Sequence, residues 1–329
     1  PKRSTLTSRK EVDLTRTFRF KYGGSYHGIP IMAANMDGVG TLEVGRTLRD
    51  LDLFTCYKKD IYESELIEEL KDNGGKHVAV TVGRNEYDYE RLSRINKNSP
   101  VRNICIDVAN GYTQALVDFV KVVRRTFPKS NIIAGNVVTG EMVEELLLAG
   151  ADIIKVGIGS GSVCTTRLKT GVGYPQFSCI AECADAAHGL DGHIIADGGC
   201  TTPGDVAKAF GAGADFVMLG SMLAGSTEGG GEKITIDDKE YVEFYGMSSK
   251  KANEKHNGGL KDYRTSEGRR VVLPYKGPMR YIVQDILGGI RSTCTYVGAA
   301  KLKHLSKCAT FVRCTKTHSK IYESNTLEI

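Results

Sequence analysis

The chain has 329 residues, 41% hydrophobic and 25% charged, with 38 glycines and a formal net charge of +5. That composition belongs to a folded soluble protein of one large domain or two small ones. No apolar run reaches the roughly 18 residues of a membrane helix, and the N-terminal PKRSTLTSRK lacks the apolar core of a signal peptide. Nine cysteines, odd in number and irregularly spaced, argue for a reducing compartment rather than a disulfide framework or a zinc site. A cytoplasmic location is therefore expected. Basic residues gather near both ends, in PKRSTLTSRK and between 301 and 320, without aromatic interleaving, so neither nucleic acid nor membrane is an expected partner. The abrupt start suggests that a further segment precedes it.

In chain order, short runs rich in Val and Ile predict strands at 29–34, 53–57, 77–82, 103–108, 131–135, 152–156, 193–197 and 215–219. Helical patterns lie between them, among them 113–125, 140–148, 176–187 and 202–210. Thr139 and Thr202 stand where N-caps belong, and Gly150 and Gly211 where C-terminal glycines belong. The strands are continuously apolar, as in a sheet buried on both faces. The unit running from IIAG (132–135) through Gly150-Ala151-Asp152 to Val156-Gly157 recurs from IIAD (194–197) through Gly213-Ala214-Asp215 to Leu219-Gly220. Two successive βαβ copies, with no GxGxxG after the first strand, favour a closed (β/α)8 TIM barrel over an open doubly wound sheet. After the eighth strand, residues 226–276 are polar, charged and glycine-rich. A stretch of that length is either disordered or a functional lid, and its departure from the C-terminal end of the last strand favours a mobile active-site lid. A closing helix is predicted over 278–288. The whole of 1–329 is thus expected to be one barrel domain without an inserted regulatory domain.

The most informative stretch is 157–167, GIGSGSVCTTR, in which Cys164 sits in a glycine-rich loop straight after a strand. The glycines let a ligand approach the main chain closely. The thiolate is the nucleophilic form of cysteine, and a nearby cation and exposed amides favour it. The bland alternative is an inert thiol in a flexible loop. Barrels often bind phosphate at the loops after strands seven and eight, here Asp197-Gly198-Gly199 and Gly220-Ser221, although glycines there could serve turn geometry alone. Other strand ends add Asn35, Asp37, Lys58, Lys59, Asp107, Asn110 and Asn136 to the same rim. Lys155, on the sixth strand, could form a Schiff base; pairing with a carboxylate inside the barrel is the preferred reading, because Cys164 offers a competing nucleophile.

Long motifs then carry a resemblance: PKRSTL, IPIMAANMDGVGT, DVANGY, AGNVVTGEM, GSVCTTRLKTGVGYPQ, ECADAAHGLDGHIIADGGCTTPGDVAKAFGAGADFVMLGSMLAG, FYGMSS, YRTSEG and DILGGIRSTCTYVGAAKL. Over essentially its whole length the chain resembles the GMP reductases of the IMP dehydrogenase/GMP reductase family. The text 169–176 after the cysteine is similar to the reductase form. The 263–268 run is too, and it lacks the Arg-Tyr dyad by which the dehydrogenases activate water.

The resemblance implies NADPH-dependent reductive deamination of GMP to IMP and ammonia through a thioimidate on Cys164, with Thr166 and Glu267 relaying a proton to the departing amine. It implies that Asp197, Gly198, Gly199, Gly220 and Ser221 hold the phosphate and ribose, and that Gly246, Met247, Ser248, Arg264, Thr265, Ser266 and Gly268 contact the base. For NADPH it implies Ser8, Arg9, Lys59, Asp107, Val108, Ala109, Ile158, Gly159, Met247, Tyr263 and Arg264, with Ser292, Thr293, Cys294 and Thr295 reaching across from a neighbouring subunit. Carbonyls of Gly159, Gly161 and Cys164, near Arg167, match a monovalent-cation site, usually potassium, and the implied assembly is a homotetramer. Ser160 stands where the family has proline, Gly38 where it has threonine, Lys58 where it has histidine, and Ser221 where it has glycine. Those differences bear on fine geometry rather than reaction class. An IMP dehydrogenase-like enzyme and a GMP-binding protein without turnover are the alternatives.

Overall fold

The structure, a computed structural model, describes residues 1–313; the basic run 301–320 lies only partly within them, and Cys314 lies outside. The chain opens with an antiparallel hairpin, β1 (Arg16–Arg19) and β2 (Ser25–Gly28). The next four strands are β3 (Ile31–Ala33), β4 (Phe54–Cys56), β5 (Val78–Val82) and β6 (Asn103–Asp107). They continue as β7 (Asn131–Val137), β8 (Ile153–Val156), β9 (His193–Asp197) and β10 (Phe216–Leu219). Neighbours pair in parallel in sequence order, and β10 pairs with β3 to close the barrel. Between strands run α1 (Leu42–Asp50), α2 (Glu63–Asn73), α3 (Glu86–Asn98), α4 (Gln114–Thr126) and α5 (Gly140–Ala149). The short α6 (Thr166–Thr170), α7 (Gln176–His188) and α8 (Pro203–Gly211) complete the set. The chain therefore forms the (β/α)8 barrel that its strand and helix patterns predict.

Strand pleating decides what faces the centre. On β6, β8 and β9 the outward residues Ile104, Ile106, Ile154, Val156, Ile194 and Ala196 join the layer between strands and helices. The alternate residues Cys105, Ile153 and Ile195 point into a separate inner cluster. Continuing the alternation, Asp107, Lys155 and Asp197 enter the barrel near the strands' C-terminal ends. The other end is plugged by Phe18, Phe20 and Tyr26 of the hairpin, packed on Phe54 and Phe216. This hairpin is too short and too polar on one face to show in the sequence pattern.

Thr202 and Thr139 both occupy N-cap positions, as predicted; Thr202 caps α8 through a reciprocal box with Asp205, while the Thr139 hydroxyl meets Tyr112 rather than a helix N–H of α5. Gly150 takes the left-handed conformation at the end of α5. Gly211 does not cap α8: it is the helix's last residue, Ala212 follows in right-handed geometry, and Gly213 supplies the positive φ. Residues 226–276 are built rather than irregular. They hold β11 (Lys233–Ile236), β12 (Lys239–Tyr245), α9 (Lys250–Asn257) and β13 (Arg270–Pro274), with β12 central in an antiparallel sheet. The closing helix α10 (Met279–Val297) runs well beyond residue 288, and α11 (Leu305–Cys308) follows. A Cβ on Gly289 would stand 2.4 Å from Pro203 Cβ, so the glycine that discourages helix in isolation is what lets α10 pack against α8.

At the plugged end, Asp215 accepts from His188 Nε2 at 2.8 Å and lies near His193 and Arg16. Burial works against the Asp215 carboxylate, but the two histidines hold it well below the usual range. The hydrogen bond to Asp215 raises the His188 imidazole in turn. A group raised in the folded state contributes stability that is fully present below its unfolded value, ~6.5 for histidine, and lost as pH rises through the folded value. Thermal unfolding of wild type and His188→Gln between pH 5 and 9 should show the wild-type advantage shrinking as pH rises; an advantage constant with pH would contradict the pairing.

Candidate active site

Lys155 is the centre of the rim. Its Nζ lies 2.9 Å from Asp107 Oδ1 and 3.1 Å from Asp197 Oδ2, and 3.3 Å from Asn35 Oδ1. A Cβ on Gly135 would meet Lys155 Cβ at 2.6 Å, so β7 needs glycine where the lysine passes. The β7–β8 register shifts between Gly135 and Val137, which turns the Asn136 amide to Asp197 Oδ2 at 2.8 Å. Asn35 donates to Asp107 Oδ2 at 2.9 Å. Burial alone would discharge the ammonium, but Asp107 and Asp197 outweigh it and keep Lys155 protonated well above its ordinary range. The double pairing matches the preferred reading of Lys155 as a barrel-interior lysine held by carboxylates rather than a Schiff-base nucleophile. The rim residues divide here: Asn35, Asp107 and Asp197 meet Lys155 and Asn136 joins them through Asp197, while Asp37 turns toward 226–276, Lys58 pairs with Asp60, and Asn110 closes a local turn with Tyr112.

The loop after β8 carries Cys164, half-buried, with its main chain paired to Gly268 in an antiparallel bridge. The Thr165 N–H donates to the Glu267 carbonyl at 2.8 Å, and Arg269 donates its N–H to Val163 and its guanidinium to the Ser162 carbonyl. This pairing puts three side chains in a row: Cys164 Sγ lies 3.2 Å from Thr166 Oγ1, which donates to Glu267 Oε2 at 2.8 Å. Sulfur, hydroxyl and carboxylate thus form one continuous relay. Gly246 and Gly268 sit so close that each Cβ would meet the other's Cα at 3.2 Å. The Ser248 carbonyl accepts from Glu267 N–H at 3.2 Å, and the Ser266 hydroxyl donates to the Gly268 carbonyl at 3.0 Å. Met247, Ser248, Tyr263, Arg264 and Thr265 are exposed around this junction.

The loops after β9 and β10 lie beside it. Ser160 donates to the Asp197 carbonyl at 3.1 Å, and a Cβ on Gly198 would strike the Ser160 hydroxyl at 2.6 Å. A Gly199 Cβ would meet Gln176 at 3.3 Å, while Gly220 packs under Met36. Ser221 lines a cavity of about 410 Å³ with Ser162, Thr201, Arg269 and Lys276. Burial lowers the Lys276 ammonium, which donates to the Ser221 and Met222 carbonyls. Three hydroxyls and two cations facing one cavity suit a phosphate group. Sequence reasoning missed Ser162, Thr201, Arg269 and Lys276 here; Ser162, two residues before the cysteine, was the legible one.

Of the residues expected to serve a nicotinamide cofactor, Val108 bonds through its main chain across to β7, Ala109 is exposed, and Ile158 accepts from Tyr174. The Lys59 ammonium donates to the Asp107 carbonyl at 3.2 Å. Ser8 caps the 3-10 turn Arg9–Glu11, which packs on α10. Ser292, Thr293 and Thr295 lie in the C-terminal half of α10, half-buried on the outer layer of the barrel. Cys294 is fully buried, its thiol pushed up to about 11 by burial. Cys200 is likewise pushed up to about 12 by burial. Gly159, at positive φ, lies against the Arg167 stem, whose guanidinium donates to the Tyr174 carbonyl, while the Gly161 carbonyl accepts from Cys164 N–H at 3.1 Å.

A family model described as IMP dehydrogenase / GMP reductase domain matches residues 1–326. The chain is 60% identical over 326 residues to human GMP reductase 2, covering 98% of this chain and 94% of the human protein. It is 58% identical to GMP reductase from Tolumonas auensis, with the same coverage. It is 56% identical to GMP reductase from Phytophthora infestans, over 98% of this chain and 90% of that protein. The chain belongs to the IMP dehydrogenase/GMP reductase family. Among the described residues no helix is long and apolar enough to cross a membrane.

Lys155 pairs with both Asp107 and Asp197. Lys155→Met should lower the unfolding free energy by about 3–5 kcal/mol in urea titrations, because it strands buried charge; a change below ~1 kcal/mol would contradict the assignment.

Proposed function

We propose that this chain is a GMP reductase, converting GMP and NADPH to IMP, ammonia and NADP in purine nucleotide salvage. The observation that carries the reading is the unbroken row Cys164 Sγ, Thr166 Oγ1, Glu267 Oε2. With the purine of GMP over the Gly246–Ser248 and Arg264–Gly268 junction, the Cys164 sulfur adds to C2. The C2–amine bond breaks and the leaving amine takes a proton delivered by Thr166 from Glu267. That leaves C2 bonded to sulfur as a thioimidate. NADPH, when bound, supplies the hydride that reaches C2 and expels the sulfur, regenerating the thiolate. Asp197, Gly198, Gly199, Gly220 and Ser221 hold the ribose and phosphate, with Ser162 and the cations Arg269 and Lys276 adding to the phosphate end.

For the cofactor, Lys59 and Asp107 offer a cation and a carboxylate on one rim edge, flanked by exposed Ala109, Met247 and Tyr263. Ser8, Arg9 and Lys59 would serve NADPH, Arg9 and Lys59 suiting a 2′-phosphate, with Ser292, Thr293 and Thr295 reaching across from a neighbouring subunit in a homotetramer. The neutral carbonyls of Gly159, Gly161 and Cys164 form a hard-oxygen set on a glycine-rich turn, the donor chemistry of a monovalent cation such as K⁺. The Arg167 charge is directed away, to Tyr174. In this reading 1–329 is one cytoplasmic barrel domain and 226–276 is its lid.

The test is absorbance of the reduced nicotinamide. GMP with NADPH should deplete it; NADH formed from IMP instead would identify a dehydrogenase, and GMP binding without ammonia release would leave only a binding protein. Cys164→Ala should retain GMP binding and lose turnover by at least ~10³-fold, and retained oxidation would sink the nucleophile. Glu267→Gln should slow ammonia release more than hydride transfer in single-turnover measurements; equal slowing would contradict the relay.

A further inference from the structure

The geometry points to Asp37 as the residue that positions Glu267, by clamping lid segment 245–256 to the barrel rim through a single carboxylate oxygen. This rests on the proposed relay through Thr166 and Glu267. Asp37 follows β3 and is 7% exposed. Its Oδ2 accepts three bonds: from the Tyr245 hydroxyl at 2.6 Å, the Lys255 ammonium at 2.9 Å and His256 Nε2 at 2.7 Å. Tyr245 ends β12, while Lys255 and His256 lie in the last turn of α9, so both ends of the segment meet at one atom. The charged acceptor makes these bonds stronger than neutral ones.

Between the two anchored ends sits the support for the acid. Ser249 accepts from Ala252 N–H to cap α9, and its main chain bridges to Gly268. Ser248, its neighbour, accepts the Glu267 N–H. The main chain of Glu267 thus hangs from a segment fixed at both ends by Asp37. Lys255 also pairs with Asp60 at 3.6 Å, and Asp60 with Lys58 at 3.2 Å, which ties the loop after β4 into the same contact. Asp37, Asp60 and His256 lie close enough to suggest a metal ion, but the Lys255 ammonium already stands among them. The group is an ion-paired clamp. Burial alone would raise the Asp37 carboxyl; its three donors hold it below its ordinary value, so the anion persists. Its other oxygen, Oδ1, is buried without a partner among the described residues. A buried orphan oxygen disfavours folding, so packing alone does not account for an aspartate here.

The test is a double-mutant cycle on the full chain. Asp37→Asn keeps the side chain's size and one acceptor but removes the charge that holds Lys255 and His256. With GMP and NADPH, D37N should lower kcat roughly tenfold and change KM for GMP by less than about threefold. In the Glu267→Gln background the same substitution should change kcat by less than about twofold, because the group it positions is already gone. Equal fold losses in both backgrounds would overturn the proposal. Tyr245→Phe, which removes one hydroxyl, should show a smaller loss with the same dependence on Glu267, and decides the matter if D37N folds poorly. Trypsin reads the clamp without reference to chemistry. Cleavage at the exposed Lys261, Arg264, Arg269 and Arg270 should accelerate roughly tenfold in D37N, as expected for easier local opening; an unchanged rate would overturn the clamp. If the wild-type chain does not oxidise NADPH with GMP, the functional reading falls instead, and the cleavage rate alone decides the clamp.

Discussion

The contact on which the rest turns is the short antiparallel bridge between Cys164 and Gly268. It joins the loop leaving β8 to a strand-like stretch more than a hundred residues later. Neither side is chemically complete alone: the barrel loop owns the sulfur and the hydroxyl, and the later stretch owns the carboxylate. Backbone pairing brings them together because it fixes register, and one residue of slip would send Glu267 to the opposite face. The side chains then follow, with Thr166 between sulfur and carboxylate at hydrogen-bonding distance from each.

Around that junction the barrel supplies a rigid frame held by ion pairs at its strand ends. Lys155 orients Asp107 and Asp197 from the centre of the rim, and both carboxylates keep it protonated. The loops carrying Ser160 and Gly198 interlock because one has a small hydroxyl and the other no side chain. Ion pairing at the strand ends thus fixes where the partly exposed carboxylates of Asp107 and Asp197 stand, and the loops above extend the same rim.

The eight barrel strands were legible because each is a continuous apolar run bounded by glycine or polar residues, and the doubled Gly-Ala-Asp unit gave their connection. The site residues on β6, β8 and β9 followed from strand ends, but their pairings did not, since Asp107, Lys155 and Asp197 are brought together only by barrel closure. Elements whose stability is tertiary escaped. The β1–β2 hairpin has one buried residue in Arg16–Arg19 and two in Ser25–Gly28, and the sheet of β11, β12 and β13 has largely exposed outer strands. The length of α10 was hidden by Gly288-Gly289, where packing on Pro203 overrides helix propensity. The resemblance implied Cys294 as a cofactor residue, and its burial inside α10 packing was not visible in the motif. Asp37 was legible as a rim carboxylate, but its partners, two hundred residues away, were not.

The most direct measurement is intact-protein mass spectrometry of the wild-type chain quenched in acid during turnover of GMP, followed by peptide mapping. The account predicts a transient purine-nucleotide adduct on the peptide bearing Cys164, which disappears when NADPH is supplied in excess and GMP is exhausted. Steady oxidation of NADPH with no adduct at that sulfur, at quench times shorter than one turnover, would contradict it.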